Sequence, residues 1–467
     1  MKSEHLSLLP THRQLYYGGA WHPSLKKSAT DLINPATGAS LGVAAEAGSA
    51  DVDAAVAAAK AAFQIWRNVK PLERADRLRA LAASLRRHSD EMGARGLELF
   101  AGLVTEMKGE TIPVSADHLN YTVREPLGVV ARIIAFNHPI MFATMRCAAP
   151  LAAGNTIIVK PSVQAPLSAL RLAEIIDEED LLPPGVYNVL TGDQECGSAL
   201  SSHPDITKVS LIGSVGTGKK ILSAAANTVK HVGLEMGGKN ALIAYPDQDI
   251  DVIADGAIMG MNLTWAGQSC GSTSRVFLHA SHYDAVLEKI VAGCTHYVPG
   301  DPTDPKTTMG PLISKAQYEK SLMYIQAGIE EGATLKCGGK ACNAKGFEDG
   351  FFVQPTVFSD VTMSMRIARE EIFGPVLSIF RWEDEDELFK QVNDSDYGLS
   401  AAIFTKDLTT AHRAAARVEA GYIWVNHAGP HFIGAPFGGY KQSGLGREEG
   451  LEELLASTNT KNINIKL

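Results

Sequence analysis

Cysteine is scarce in this chain, and the cysteines present show no arrangement typical of a disulfide framework or a zinc site. There are six in 467 residues, and none forms a C-x-x-C pair. Cys337 and Cys342 come nearest, in a Gly-rich segment, but no second pair completes a zinc site. We therefore expect no metal centre and a reducing compartment in which thiols persist. A cysteine that stays reduced is available for chemistry.

The sequence also lacks a long apolar run, a secretory leader and an excess of positive charge. No apolar stretch reaches the ~18 residues typical of a membrane-spanning helix. The N-terminal MKSEHLSLLPTHRQ has neither the apolar core nor the small-residue cleavage site of a leader. Lys and Arg total 43 and Asp and Glu total 52, a net charge of −9. A chain this acidic, with scattered basic residues, predicts a cytoplasmic protein with neither nucleic-acid nor membrane partners.

Short apolar runs alternate with helical stretches along most of the chain. The length predicts two or three domains, and 43 glycines and 22 prolines supply many turns. Helices are predicted over 51–66, with Asp51 as N-cap, and over 71–88. Short strands at 128–136, 156–159, 186–190 and 209–212 then alternate with helices such as 165–176 and 218–228, and a similar series runs from about residue 240 to 425. This alternation predicts an α/β fold with parallel sheets, arranged as two interleaved domains.

The last ten residues, 458–467 (TNTKNINIKL), alternate polar and apolar side chains after a helix. A strand with nothing following it usually pairs at a sheet edge. The pairing partner can be this chain or a neighbouring subunit, and the pattern does not choose between them.

The segment LIGSVGTGKK (211–220) follows a predicted strand and opens a helix. Its glycines permit a tight turn, and the helix N-terminus offers free N–H groups to a phosphate. A nucleotide-phosphate turn and a plain strand–helix turn are equally compatible with this pattern. Gly213, Gly218 and Lys219 nearly match a P-loop, but Lys220 stands where a magnesium-binding Ser or Thr is needed.

Two further residues have the surroundings of reactive groups. Cys270 lies in WAGQSCGSTS, among small and polar residues rather than the Leu and Val of a core. Glu235 lies in LEMGGK, where apolar neighbours would raise its pKa towards that of a general base. Each residue also has a simpler interpretation, as an inert buried thiol and as an ion-paired structural carboxylate.

Taken together, four ordered motifs resemble the aldehyde dehydrogenase superfamily. They are LEMGGKN (234–240), GQSC (267–270), EEIFGP (370–375) and PFGGYKQSGLGR (436–447). The resemblance extends from INPATG (33–38) to the C-terminal strand, nearly the whole chain. It implies a Rossmann-like cofactor domain (1–107 and 127–237), an α/β catalytic domain (238–445) and a small β-flap for oligomerisation (108–126 and 458–467). A homodimer or homotetramer is therefore expected.

The resemblance implies the oxidation of an aldehyde to a carboxylic acid with NAD or NADP. Cys270 would attack the carbonyl and form a thiohemiacetal, then a thioester. Its backbone N–H and the side chain of Asn137, in FNHP, would form the oxyanion hole. Glu235 would activate the water that hydrolyses the thioester, which favours a free acid over transfer to coenzyme A.

The same resemblance assigns the cofactor site. It comprises the ribose-binding Lys160 and neighbouring Ser162, the pyrophosphate turn with Gly213 and Ser214, and the nicotinamide-side pair Glu371 and Phe373. Members that prefer NAD commonly carry a Glu three residues after the lysine, where this chain has Val163. Without that carboxylate a 2′-phosphate is not repelled, so NADP is expected to be tolerated.

The substrate is expected to be an uncharged aliphatic or aromatic aldehyde, because the matching positions offer no charged clamp. These are His138, Phe142, Met145, Trp265, His427 and Phe432.

Two departures from the family pattern bear on activity. Arg146 replaces the lysine that many members use with the carboxylate matching Glu448 in a proton path, and an arginine does not relay protons. The family also has about one helix more near DEMGAR (90–95), ~20 residues of ordinary helix length. A relative that keeps the fold but has lost the chemistry is therefore the alternative interpretation, and a P-loop phosphotransferase is a more remote one.

Overall fold

A computed structural model describes residues 9–88, 91–342 and 346–467 of the chain. Its strands, in chain order, are β1 (Leu15–Tyr17), β2 (Ala20–His22), β3 (Ser28–Ile33), β4 (Ser40–Glu46), β5 (Thr111–Ser115), β6 (His118–Pro126), β7 (Val129–Ile133), β8 (Thr156–Lys160), β9 (Tyr187–Val189), β10 (Ile206–Gly213), β11 (His231–Met236), β12 (Ala241–Ala244), β13 (Arg275–His279), β14 (Thr334–Cys337), β15 (Thr356–Ser359), β16 (Val376–Trp382), β17 (Ser400–Phe404), β18 (Tyr422–Val425), β19 (Gly444–Leu445) and β20 (Thr458–Lys466).

The helices alternate with these strands. They are α1 (Ser49–Trp66), α2 (Pro71–Arg87), α3 (Glu91–Leu103), α4 (Pro139–Ala153), α5 (Leu167–Glu178), α6 (Gln194–Ser202), α7 (Val215–Ala226), α8 (Ile250–Gly260), α9 (Tyr283–Cys294), α10 (Lys315–Glu330), α11 (Arg366–Arg369), α12 (Glu385–Asn393), α13 (Leu408–Arg417) and α14 (Leu451–Leu455), with short 3-10 turns at Val104–Glu106, Leu263–Trp265 and Lys441–Ser443.

The larger sheet has the strand order β19-β11-β10-β7-β8-β9-β1-β2. Its central strands are parallel, and antiparallel strands close both edges. From β7 the chain builds outwards through β8 and β9, and then returns to the other side of β7 with β10 and β11. The order therefore reverses between β7 and β10, and such a reversal opens a crevice at the carboxyl ends of the two strands.

The second sheet has the order β14-β15-β16-β13-β12-β17-β18 and is parallel except for β14. Alternate residues of one strand face opposite sides, so Ile243 belongs to one hydrophobic core and Leu242 to another. Val130 and Val129 divide in the same way in the first sheet. Helices thus cover both faces of each sheet, which confirms the predicted α/β class.

The C-terminal strand β20 pairs with β6 along its full length, in a three-stranded antiparallel sheet of order β20-β6-β5. The sequence left open whether this strand pairs within its own chain or with a neighbouring subunit. In the described residues it pairs within its own chain. A separate hairpin of β3 and β4 completes the sheets.

The predicted cap of the first helix is wrong. Gly48, not Asp51, is the N-cap of α1. Asp51 lies in the first turn, and its carboxylate accepts the backbone N–H of Gly48 at 2.9 Å. It therefore bonds back to the N-cap residue from within the helix and is not itself the cap. Among the described residues, no helix is both long and apolar enough to cross a bilayer.

Candidate active site

The candidate site lies where the carboxyl ends of the first sheet meet the amino ends of the second. From the first sheet, Lys160 ends β8, Glu235 is next to last in β11, and Asn137 follows β7. From the second sheet, Cys270 precedes β13 and Glu371 precedes β16. The carboxyl ends of the strands in one sheet and the amino ends of the strands in the other border the same cleft. Residues far apart in sequence therefore meet there.

The loop that carries Cys270 is held by the end of the LEMGGKN motif. The Asn240 side-chain amide donates to the backbone carbonyls of Cys270 at 2.7 Å and of Ser272 at 3.0 Å. Its oxygen accepts the backbone N–H of Ser400 at 3.1 Å. The amide nitrogen and the oxygen of this buried side chain are therefore both bonded to backbone groups. The sequence analysis did not single out Asn240, although it stands in the motif that carried the resemblance.

The two glycines of the same motif, Gly237 and Gly238, are packed too closely against neighbouring residues to carry a side chain. A Cβ on Gly237 would overlap the carboxylate of Glu371, and one on Gly238 would lie 2.9 Å from the carbonyl oxygen of Cys270. The N–H of Gly238 donates to Glu371 at 3.1 Å. The glycine pair therefore lets the backbone seat two candidate site residues at once.

Cys270 and Glu235 line the same cavity, and each affects the pKa of the other. Burial, followed by the neighbouring charge of Glu448, raises the pKa of Glu235 to about 8. Burial and the adjacent Glu235 together raise the pKa of the Cys270 thiol well above its usual value. The resting pair is therefore a thiol beside a carboxyl group that titrates near neutral pH.

Two buried oxygen atoms at this point have no hydrogen-bond partner among the described residues. They are Oε1 of Glu235 and Oδ1 of Asn137. Both residues line the same cavity as Cys270, with a volume of about 160 Å³. Polar atoms buried without partners are costly, so such atoms facing one cavity mark a place where a ligand or water is accommodated.

Behind Glu235 lies a buried network of charged side chains. Arg146 contacts Glu448 at 3.2 Å and Glu449 at 2.8 Å. Arg132 contacts Glu448 at 3.0 Å and Glu453 at 2.6 Å. The expected partner of Arg146 is thus in place, and both guanidinium pKa values are raised by these carboxylates despite burial.

This network adjoins a second cavity of about 200 Å³ that reaches Glu235 from the side of β10 and β19. Sequence reasoning missed Arg132, Glu449 and Glu453, because nothing in the local pattern distinguishes a buried charge from a surface one.

A longer cavity of about 520 Å³ runs from Lys160 and Ser162 past the glycine turn. It shares five residues with the cavity at Cys270, so the two form one cleft; these are Ala135, Phe136, Ile212, Gly213 and Ser214. Ser214 is the N-cap of α7 and accepts the Thr217 N–H at 3.3 Å. The cleft therefore fits an extended dinucleotide, with a phosphate-binding helix end midway along it.

The inner end of the cleft contains Glu371 and Phe373, as expected, together with Gln317 and Lys320 from α10. The Gln317 amide donates to the backbone carbonyls of Ile372 at 2.9 Å and Phe373 at 2.8 Å. Phe373 has a left-handed backbone (φ 58°), which is costly for a non-glycine residue, and these bonds help to hold it. Neither α10 residue was predictable from the sequence, because both lie on a helix whose local pattern is that of an exposed one.

The expected substrate residues are partly brought together. The ring of His138 lies 4.8 Å from that of Trp265 and 5.7 Å from that of Phe142, edge-on to both. Burial, then the charges of His431 and Arg146, lower the pKa of His138 to about 4. Met145 is buried against Gly96 of α3. Phe432 is 71% exposed, and neither it nor the half-buried His427 joins the ring contacts of the described residues.

The profile of the aldehyde dehydrogenase family matches the chain in two segments, 21–95 and 92–463. They meet at the junction where the sequence analysis expects a missing helix. There α2 ends at Arg87 and α3 begins at Glu91. Asp90, where the expected shortening begins, lies outside the described residues.

Individual relatives match over almost their full length. Aldehyde dehydrogenase tropH of Talaromyces stipitatus is 50% identical over an alignment of 487 residues, which covers 98% of this chain and 94% of the relative. The NAD+ complex of an aldehyde dehydrogenase from Bacillus cereus is 37% identical, with a TM-score of 0.95, and the match covers 100% of this chain and 99% of that one. Betaine aldehyde dehydrogenase (betB) of Staphylococcus aureus with NAD+ is 34% identical, with a TM-score of 0.95, and the match covers 99% of this chain and 96% of that one.

Proposed function

The chain belongs to the aldehyde dehydrogenase family and is an NAD-dependent aldehyde dehydrogenase, and from that premise we propose how its own residues carry the reaction. Cys270 is the nucleophile, Asn137 completes the oxyanion hole, and Glu235 is the general base. The product is a free carboxylic acid. The observation that carries this proposal is that Cys270, Asn137 and the buried Glu235 line one cavity, where Glu235 and Asn137 each have an oxygen without a partner among the described residues.

In the first step the sulfur of Cys270 attacks the aldehyde carbon. The thiol proton passes to ionised Glu235, a C–S bond forms, and the carbonyl oxygen becomes an oxyanion. The backbone N–H of Cys270 and the Asn137 amide donate to that oxyanion and stabilise the thiohemiacetal. When NAD is bound, its nicotinamide accepts the aldehydic hydride, which leaves a thioester on Cys270.

After hydride transfer Glu235 releases the thiol proton to solvent and is ionised again. In the second step it takes a proton from water, whose oxygen attacks the thioester carbon. The C–S bond then breaks, the acid leaves, and the Cys270 thiolate takes a proton back from Glu235. A carboxyl group with a pKa of about 8 suits both roles, because it accepts and returns protons near neutral pH. Arg146 holds Glu448 and Glu449 beside this group by fixed ion pairs, so we assign it to orientation and charge balance and not to proton relay.

For the cofactor, Lys160 and Ser162 bind the adenosine ribose, Gly213 and Ser214 the pyrophosphate, and Glu371 and Phe373 the nicotinamide ribose and ring. NADP is tolerated as well as NAD. Val163 lines the adenosine end of the cleft without a carboxylate, and Lys160 and Lys220 supply positive charge there. Their charge would favour a 2′-phosphate, which a carboxylate at 163 would repel.

We further propose the division into a cofactor domain (1–107 and 127–237), a catalytic domain (238–445) and a flap (108–126 and 458–467). The flap is the three-stranded sheet, and an antiparallel sheet with exposed strand edges is suited to pairing with another subunit. A homodimer or homotetramer follows, and light scattering of the purified protein would contradict it by giving the monomer mass.

The decisive experiment measures reduced-cofactor formation over a panel of aliphatic and aromatic aldehydes, with NAD and NADP separately. Cys270→Ala is compared with Cys342→Ala, a second partly exposed cysteine that lies outside the cleft. We expect turnover in the wild type and Cys342→Ala, and none in Cys270→Ala. Turnover that survives Cys270→Ala would refute the assigned nucleophile, and a wild type inactive on every aldehyde would favour the catalytically silent alternative.

A further inference from the structure

His431 lies in the segment between β18 and β19, and the sequence patterns did not single it out. Its ring lies in an aromatic setting, 4.1 Å from the ring of Phe437 and 5.7 Å from that of Tyr422. The indole N–H of Trp424 donates to the carbonyl of Pro430 at 2.8 Å, which fixes the backbone just before the histidine. On the far side, the N–H of Gly434 donates to the carbonyl of Glu449 at 2.8 Å. The histidine is therefore held on a loop anchored at both ends.

One nitrogen of His431 is already engaged. Its Nδ1 lies 3.2 Å from Oε1 of Glu449, and the Glu449 side chain is only 1% exposed. Burial alone would raise the pKa of Glu449, but Arg146 and His431 outweigh it and the pKa lies below its usual value. An ionised carboxylate only accepts hydrogen bonds, so Nδ1 carries the proton. In the neutral ring this leaves a lone pair on Nε2.

The second nitrogen lies beside the residue that follows Cys270. A methyl group built on Gly271 would lie 3.8 Å from Nε2 of His431 and 3.9 Å from the hydroxyl oxygen of Ser269. The charge of His431 also contributes to the lowered pKa of His138. Nε2 is therefore an acceptor next to the segment that carries the proposed nucleophile.

We infer that His431, oriented by Glu449, is a specificity-determining residue that accepts a hydrogen bond from a hydroxyl group of the substrate. The expected substrate positions His138, Trp265 and Phe142 form an aromatic cluster that favours a flat substrate, so the class is a hydroxylated aromatic aldehyde. This narrows the expectation of an uncharged aliphatic or aromatic aldehyde, and it rests on the assignment of Cys270. Glu449 acts through His431 and is a positioning residue.

The test compares kcat/KM for benzaldehyde, 3-hydroxybenzaldehyde and 3-methoxybenzaldehyde in the wild type and in His431→Phe. Phenylalanine keeps the ring packing and removes the acceptor. We expect the wild type to prefer the hydroxy compound over the other two by about tenfold or more. In His431→Phe that preference should fall to about onefold, while kcat/KM for benzaldehyde is largely kept.

Two further variants separate specificity from stability. His412→Asn changes an exposed histidine on α13 and should leave all three values unchanged. Glu449→Gln should weaken the hydroxyl preference, because its amide no longer dictates the tautomer of His431, and melting temperatures identify any loss of folding. Equal wild-type efficiency for the three aldehydes, a methoxy compound as good as the hydroxy compound, or the same preference in His431→Phe would overturn the inference. Activity only on aliphatic aldehydes would overturn it as well, leaving Cys270 intact, whereas no activity on any aldehyde would refute the proposed function itself.

Discussion

Asn240 and Cys270 are joined by a 2.7 Å hydrogen bond from a buried side-chain amide to the backbone carbonyl of the cysteine. The bond fixes the loop at the backbone of the proposed nucleophile. It links the first residue after the LEMGGK run to a cysteine thirty positions later. The two motifs are therefore joined directly in the folded chain.

We expect Asn240→Ala to lower kcat more than it raises KM. The loop would lose its anchor while Ser272 and Ser400 lose hydrogen-bond partners, at a cost of roughly 1–3 kcal/mol in unfolding free energy. A misplaced sulfur reduces the rate by about a hundredfold. Steady-state kinetics and urea unfolding check this, and Asn393→Ala serves as a control outside the cleft. A variant with wild-type kcat would argue against the anchoring role.

Glu235→Gln should trap the acyl-enzyme. The general base works in its ionised form, so in the wild type deacylation increases as pH rises and levels off above a pKa of about 8. Glutamine accepts no proton, and we expect a steady-state rate at least about a hundredfold lower, without that pH dependence. Rapid-quench detection of the thioester over pH 6–9 provides the measurement. An unaltered pH profile in the variant would assign the base elsewhere.

Breaking the buried ion-pair network should cost far more stability than breaking a surface pair. Arg146→Ala removes the cation that Glu448 and Glu449 share and leaves them with only Arg132 and His431, which we expect to lower the unfolding free energy by about 3–5 kcal/mol. Arg79→Ala removes an exposed pair with Asp76 at 3.0 Å and should cost less than about 1 kcal/mol. Urea denaturation compares the two variants. Equal losses would mean that the buried network contributes no more than a surface contact.

Val163→Glu should restrict the enzyme to NAD. A carboxylate in the adenosine end of the cleft repels a 2′-phosphate and can accept a bond from a 2′-hydroxyl. We expect kcat/KM for NADP to fall at least about tenfold, with the value for NAD equal or higher. Val163→Gln is the uncharged control and should change the ratio of the two values little. An NADP value unaffected by glutamate would place the 2′-position away from residue 163.

The sequence predicted the fold class and the strand–helix order because each signal is local. Periodicities of two and 3.6 residues report which faces are buried, so the strand at 209–212 and the helix after the glycine turn were found with small boundary errors. The cap of α1 was missed because an Asp is common both at the N-cap and in the first turn, and the local pattern does not separate the two positions. Asp51 reaches back to the Gly48 N–H from inside the helix.

The candidate site was predictable only through ordered motifs. By themselves, Cys270 and Glu235 each had an equally ordinary structural interpretation, and only the four motifs in order pointed to one chemistry. The partners that set their properties carry no local signature. Glu448 and Arg146 come from a late loop and from α4, and they reach Glu235 only through the packing of α4 against the C-terminal segment.

The sequence by itself determined the elements, because these depend on short-range periodicity, and it indicated the class of reaction through the resemblance that its ordered motifs carry. Tertiary structure decided which charges are buried together, which oxygen atoms are left without partners, and which residues His431 contacts. These depend on the meeting of chain segments hundreds of positions apart, as when Arg146 contacts Glu449 across 303 residues. Burial then converts such contacts into shifted pKa values and fixed tautomers, which no local pattern of residues specifies.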